Sequence, residues 1–343
     1  MSEEHEQAES EEQDLEEEML TAARSVIRTC MQVRPHENVL VVTDPTTSEV
    51  GRALYEAASE VTDRILMMMM PRSHMQGNEP PASVGDLMRR QNVVLLATRN
   101  SLTHTRARLT SSREGARIAS MPGITQEMMA AGGMTADYNA LQKEISGLNP
   151  LLRRRRDVRV TSEAGTDIRF RTGARWVLED NGICNRPGQV TNLPAGKVFV
   201  LPQEQTMNGK IVIDGSWEGT ILEEPITFLV EDGLVVSISG GEAAENIQSV
   251  LDEARVGLRP SRANLINTVA EFGFGMNPRA RISGKRLEDQ VVRGAAYFGF
   301  GDNSALGGTA SVGVHMRGVM LNPTVELNDV DLVIEGRITA RKR

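Results

Sequence analysis

Apolar runs alternate with amphipathic stretches over the first 150 residues. Residues 38–44 (NVLVVTD), 64–70 (RILMMMM), 92–98 (NVVLLAT) and 117–123 (RIASMPG) are apolar at consecutive positions. That is the pattern of short strands covered on both faces, as in a parallel sheet. Between and before them, residues 19–35, 48–61, 83–91 and 105–115 carry apolar positions at helical spacing. Strands alternating with helices predict a doubly wound α/β domain with its working edge at the strand C-termini. The Met67–Met70 run falls inside a strand, which predicts packing rather than soft-metal binding. The segment after the first strand, VTDPTTSEVG, lacks the glycine spacing of a dinucleotide fingerprint.

After a helical stretch at 125–149 the pattern changes. Short alternating segments at 157–162, 166–172, 197–202, 210–216 and 226–241 predict strands, with Glu231-Asp-Gly-Leu234 as a hairpin turn. A helix follows at 242–254. Three glycine-rich strand-like segments come next: NTVAEFGFGMNP (267–278), GAAYFGFGDN (294–303) and SVGVHMRGVMLNPTVEL (311–327). In the last of these, His315 and Arg317 stand at i, i+2 and share one strand face. The whole divides into an acidic tail (1–18), an α/β domain (19–150) and an α+β domain (151–343).

Charge changes this picture at one end only. The formal net charge is −8, yet residues 1–18 hold ten Asp or Glu and no Lys or Arg. The remainder is therefore near +2 (−8 less −10), which gives no support for nucleic-acid binding. The 1–18 segment is too polar and self-repelling to build a core and is expected to be disordered. The four arginines at 153–156 predict a solvated helix end. No apolar run is long enough for a bilayer, and the two cysteines, Cys30 and Cys184, are expected as free thiols in the cytoplasm.

Several longer motifs occur in order: MPRSHMQGNEPP, SLTHTRAR, MPGIT, GTDIRFRTGAR, NLPAGKVFVLP, AEFGFGMNPRARISGKRLED, GAAYFGFGDNSALGG and HMRGVMLNPTV. Together they resemble the aminopeptidase T family, the M29 metallopeptidases, to which the iron-dependent 2,5-dihydroxypyridine dioxygenases are also similar. The resemblance spans about residues 20–330. It implies an α/β N-terminal domain with a parallel sheet, an M29-like α+β C-terminal domain bearing the site, and a homodimer.

The family's metal ligands map onto Lys197, Glu271, Tyr297, His315 and Arg317. The resemblance implies glutamate at the first position, histidine at the third and aspartate at the fifth, so only Glu271 and His315 are retained. A catalytic metal needs about three protein donors. At an effective dielectric of about 20, unit charges 4 Å apart interact by about 4 kcal/mol, and a divalent ion doubles that. Lys197 and Arg317 are therefore expected to exclude a metal and to neutralise Glu271 from within. No metal, cofactor or catalytic residue is expected at this place. His74 and His104, at strand C-termini of the first domain, are candidates to line a cleft.

The expectation is a catalytically inactive peptidase-like protein that binds a peptide. A precursor or leader peptide of ribosomal-peptide natural-product biosynthesis is one such ligand, with other biosynthetic enzymes as possible partners. The alternative is an active metal-dependent aminopeptidase or ring-cleaving dioxygenase with an altered site.

Overall fold

The protein is described by a computed structural model, which covers residues 3–153, 155–173 and 178–339. The chain forms two compact units, Met1–Gln142 with Asp180–Ala195, and Lys143–Glu179 with Gly196–Arg343.

The first unit contains the parallel sheet. Its strands are β1 (Val39–Thr43), β2 (Ile65–Met69), β3 (Val93–Ala97), β4 (Arg117–Ser120) and β5 (Val190–Asn192), in the order β2-β1-β3-β4-β5. All four pairings are parallel. Strands β1, β3 and β4 are buried at every position, β1 and β3 as their apolar sequences require and β4 with Arg117 paired to Glu37. Helices Ser48–Ser59, Ala82–Met88 and Arg106–Arg113 form the crossovers.

Three expectations are corrected here. The expected boundary at 150 lies instead at 142/143, and the chain returns at 180–195 to add β5 beside β4. The β2 strand is not buried throughout: it is a sheet edge, and Leu66 and Met69 are each 52% exposed. The acidic segment is helical rather than disordered from residue 3 onward, because the helix Glu3–Ser25 runs through it. Glutamate, glutamine and alanine favour helix, and acidic side chains suit its N-terminal end. The C-terminal turns bury Met19, Ala22 and Ala23, and a π-turn at Val26–Cys30 continues them into the core. Of the arginine run, Arg153 ends the helix Tyr138–Arg153, and Arg154 lies outside the described residues.

The second unit has a seven-stranded and an eight-stranded sheet. Four neighbouring strands of the seven-stranded sheet are β6 (Lys197–Val200), β7 (Val269–Gly275), β8 (Ala296–Gly301) and β9 (His315–Met320), in the order β9-β8-β7-β6, all antiparallel. Period-two alternation sorts their side chains. Phe272, Phe298 and Phe300 point to the core with Val198 and Val200. There Phe272 meets Phe170 of the other sheet edge-on at 5.4 Å, and Phe300 stacks on Phe228 at 4.5 Å. The opposite face receives Lys197, Glu271, Tyr297, His315 and Arg317.

Candidate functional site

All five positions expected to form a site lie on one face of these four adjacent strands. Register fixes their rows. Glu271 pairs with Gly299, which pairs with Arg317; Phe199 pairs with Gly273, which pairs with Tyr297; Lys197 pairs with Gly275. Each large side chain therefore faces a glycine on the next strand, which explains the repeated F-G-F-G. The requirement is steric. A Cβ on Gly299 would come within 2.5 Å of Glu271 Cγ, and one on Gly273 within 2.7 Å of the Tyr297 hydroxyl.

Glu271 is wholly buried. Its Oε1 accepts a short hydrogen bond from Arg317 Nε and lies 3.5 Å from His315 Nε2. Burial alone would push this carboxyl up, but the Arg317 guanidinium and His315 outweigh it and hold it well below the usual carboxylate range. Burial likewise opposes the charge of Arg317, and Glu271 more than restores it, so its pKa stands above the ordinary arginine value.

Two groups outside the expected set complete the network. The strands Ser216–Trp217 and Thr220–Ile221 are joined by Glu218-Gly219, both at positive φ (49° and 86°), a primed hairpin turn. Glu218 Oε1 accepts the Arg317 backbone N–H at 2.6 Å, and Oε2 lies 3.1 Å from Arg286 Nη1. Burial lowers the pKa of Arg286, and Glu218 counters it. The Glu-Gly dipeptide after a tryptophan strand was a readable turn signal; nothing in the sequence marked Arg286.

Lys197 corrects an expectation. It is buried, but it does not pair with Glu271. Its Nζ donates to Gln290 Oε1 at 3.0 Å and lies over the Tyr297 and Phe199 rings, 5.2 and 5.6 Å from their centroids. Gln290 follows the short helix Arg286–Asp289, whose placement sequence alone did not give. Tyr297 is buried among Ala295, Val319 and Phe199. His74 and His104 are exposed on loops of the first unit. Cys30 and Cys184 are buried free thiols, held close by a 2.8 Å bond from the Cys184 N–H to the Cys30 carbonyl; burial pushes Cys184 up to about 11.

The chain matches the model of the NicX family, 2,5-dihydroxypyridine 5,6-dioxygenase, over residues 18–340. It belongs to this family. A curated relative, the 2,5-dihydroxypyridine 5,6-dioxygenase of Pseudomonas putida, is 25% identical over 215 residues. That match covers 58% of this chain and 59% of the relative's length. The solved dioxygenase from Pseudomonas putida KT2440 superposes with a TM-score of 0.80 at 19% identity, covering 94% of this chain and 97% of that one. AmpT from Thermus thermophilus superposes with a TM-score of 0.67 at 14% identity, covering 94% and 99%. Both likenesses show the fold, an M29-like two-domain architecture.

The residues on this face do not fit the metal that the family resemblance implies. Among the described residues, no group of three or more His, Cys, Asp or Glu is placed to hold an ion. Glu271 and His315 are two donors, and the side chain at the fifth position is a guanidinium bonded to one of them.

Proposed function

We propose that this chain is a metal-independent, non-catalytic member of the NicX family that binds a peptide. One observation carries the first half of this reading: Arg317 is bonded to buried Glu271 at the place where the resemblance puts a metal. A fixed guanidinium meets the charge requirement of the carboxylate and opposes a divalent cation. The likeness to aminopeptidase T motifs supports a peptide as the ligand. A precursor or leader peptide is the first class to test, with a homodimer in a reducing cytoplasm as the working form. Calorimetric titration with peptides encoded beside this gene tests it. Binding at micromolar affinity without added metal is expected, and no binding tighter than millimolar contradicts it.

The second reading is a ring-cleaving dioxygenase with an altered site, favoured by the family match and by the curated relative. Turnover of 2,5-dihydroxypyridine with oxygen after anaerobic Fe(II) loading, lost in Glu271→Gln, would establish it instead.

A further inference from the structure

His315 is still held as a metal ligand would be. Its Nδ1 lies 2.6 Å from the Asp302 carbonyl oxygen. A carbonyl oxygen only accepts, so Nδ1 carries a proton, and Nε2 is turned toward Glu271 Oε1 at 3.5 Å. The Asp302 carboxylate fixes its own loop by accepting the backbone N–H groups of Ser304, Val312 and Gly313 at 2.9, 2.7 and 2.9 Å. His315 Nε2 has no hydrogen-bond partner, and neither does Glu271 Oε2, the oxygen that Arg317 leaves free. His315 Nε2 and Arg317 Nε thus meet at the same oxygen of Glu271. Gly299 lies across from Glu271, whose side chain fills the space that the missing Cβ leaves.

We propose that Arg317 alone closes this site to divalent metal, and that Glu271 and His315 remain in ligand geometry behind it. The inference rests on the metal-independent reading above. Lys197, the other new cation, donates to Gln290, while the ion pairs given by Glu271 among the described residues are with Arg317 and His315. Position 317 lies across Gly299 from Glu271 and at i+2 from His315, on the same face. An aspartate there removes the opposing charge and supplies a third donor in one step.

The test uses the full chain and Co(II), with bound metal measured after gel filtration and the visible ligand-field spectrum as a second readout. The wild type is expected to retain almost none. Arg317→Asp is expected to retain about one equivalent, the complement of a three-donor site, with a melting temperature that rises on adding Co(II). The band should disappear in Arg317→Asp combined with His315→Gln. A folded Arg317→Asp that holds no more cobalt than the wild type overturns the inference and leaves the metal-independent reading standing. If Arg317→Asp does not fold, Arg317→His decides, because it too removes the fixed charge and supplies a third donor: it must hold more cobalt than the wild type, and equal retention overturns the inference. Stoichiometric cobalt in the wild type overturns both.

Discussion

At the scale of single residues, Glu271 is a buried charge with its counter-charge built into the chain. Removing one partner of a buried pair leaves the other uncompensated, at about 3–5 kcal/mol. Arg317→Met is expected to destabilise by that amount, and Arg317→Met with Glu271→Gln to recover part of it. A urea-melt double-mutant cycle gives the coupling, while the same cycle on Lys197 and Glu271 should be nearly additive. A second buried pair, Arg117–Glu37 at 2.7 Å, sits in the first unit. Burial raises the Glu37 pKa, but hydrogen bonds from Arg117 and the Arg34 backbone outweigh it and lower it overall. A lowered folded-state pKa contributes stability that is full above the unfolded glutamate value of about 4.3 and is lost as pH falls through the folded value. Glu37→Gln should therefore destabilise at pH 7 and flatten the acid limb of a stability-against-pH curve below about pH 4.3. An unchanged acid limb would remove Glu37 from the account. That Lys197, Glu271, Tyr297, His315 and Arg317 share one sheet face was legible because strand alternation and family motifs both mark them. The partner of Lys197 was not, because Gln290 comes from a loop whose path depends on tertiary packing.

At the scale of elements, the glycines of β7 and β8 are the spaces into which Tyr297 and Glu271 fit. Gly299→Ala would force a Cβ to 2.5 Å from Glu271 Cγ, and Gly273→Ala one to 2.5 Å from the Tyr297 ring. Each should cost about 1–3 kcal/mol as overpacking. Gly257→Ala, which meets nothing within 4 Å, should stay within about 0.5 kcal/mol of the wild type in the same melts. Equal effects at all three positions would dissolve the steric account. Strands β1 and β3 were legible to within a residue because fully buried strands leave apolar runs, whereas β4 ends at Ser120, three residues before the expected end. The edge position of β2 was not, since ILMMM reads the same at an edge as in a centre. The N-terminal helix was hidden because its charge pattern argues against a core while its residues favour helix.

At the scale of the whole molecule, the class of each half was legible from the change in period near residue 150. The return of 180–195 to the first sheet was not: Val190–Asn192 is three residues long, too short to reveal which sheet it joins. If the proposed homodimer forms, light scattering at micromolar concentration gives twice the 37.5 kDa chain mass, and a monomer contradicts it. Among the described residues, no helix is long and apolar enough to cross a membrane. In the proposed reading the chain carries its site cation as Arg317 and needs no metal. Elemental analysis of the wild-type protein, expressed in medium supplemented with iron, zinc and manganese, tests it most directly. The account predicts less than about a tenth of an equivalent of each, given two donors where about three are needed. About one equivalent of any of them, lost on Glu271→Gln or His315→Gln, would contradict it.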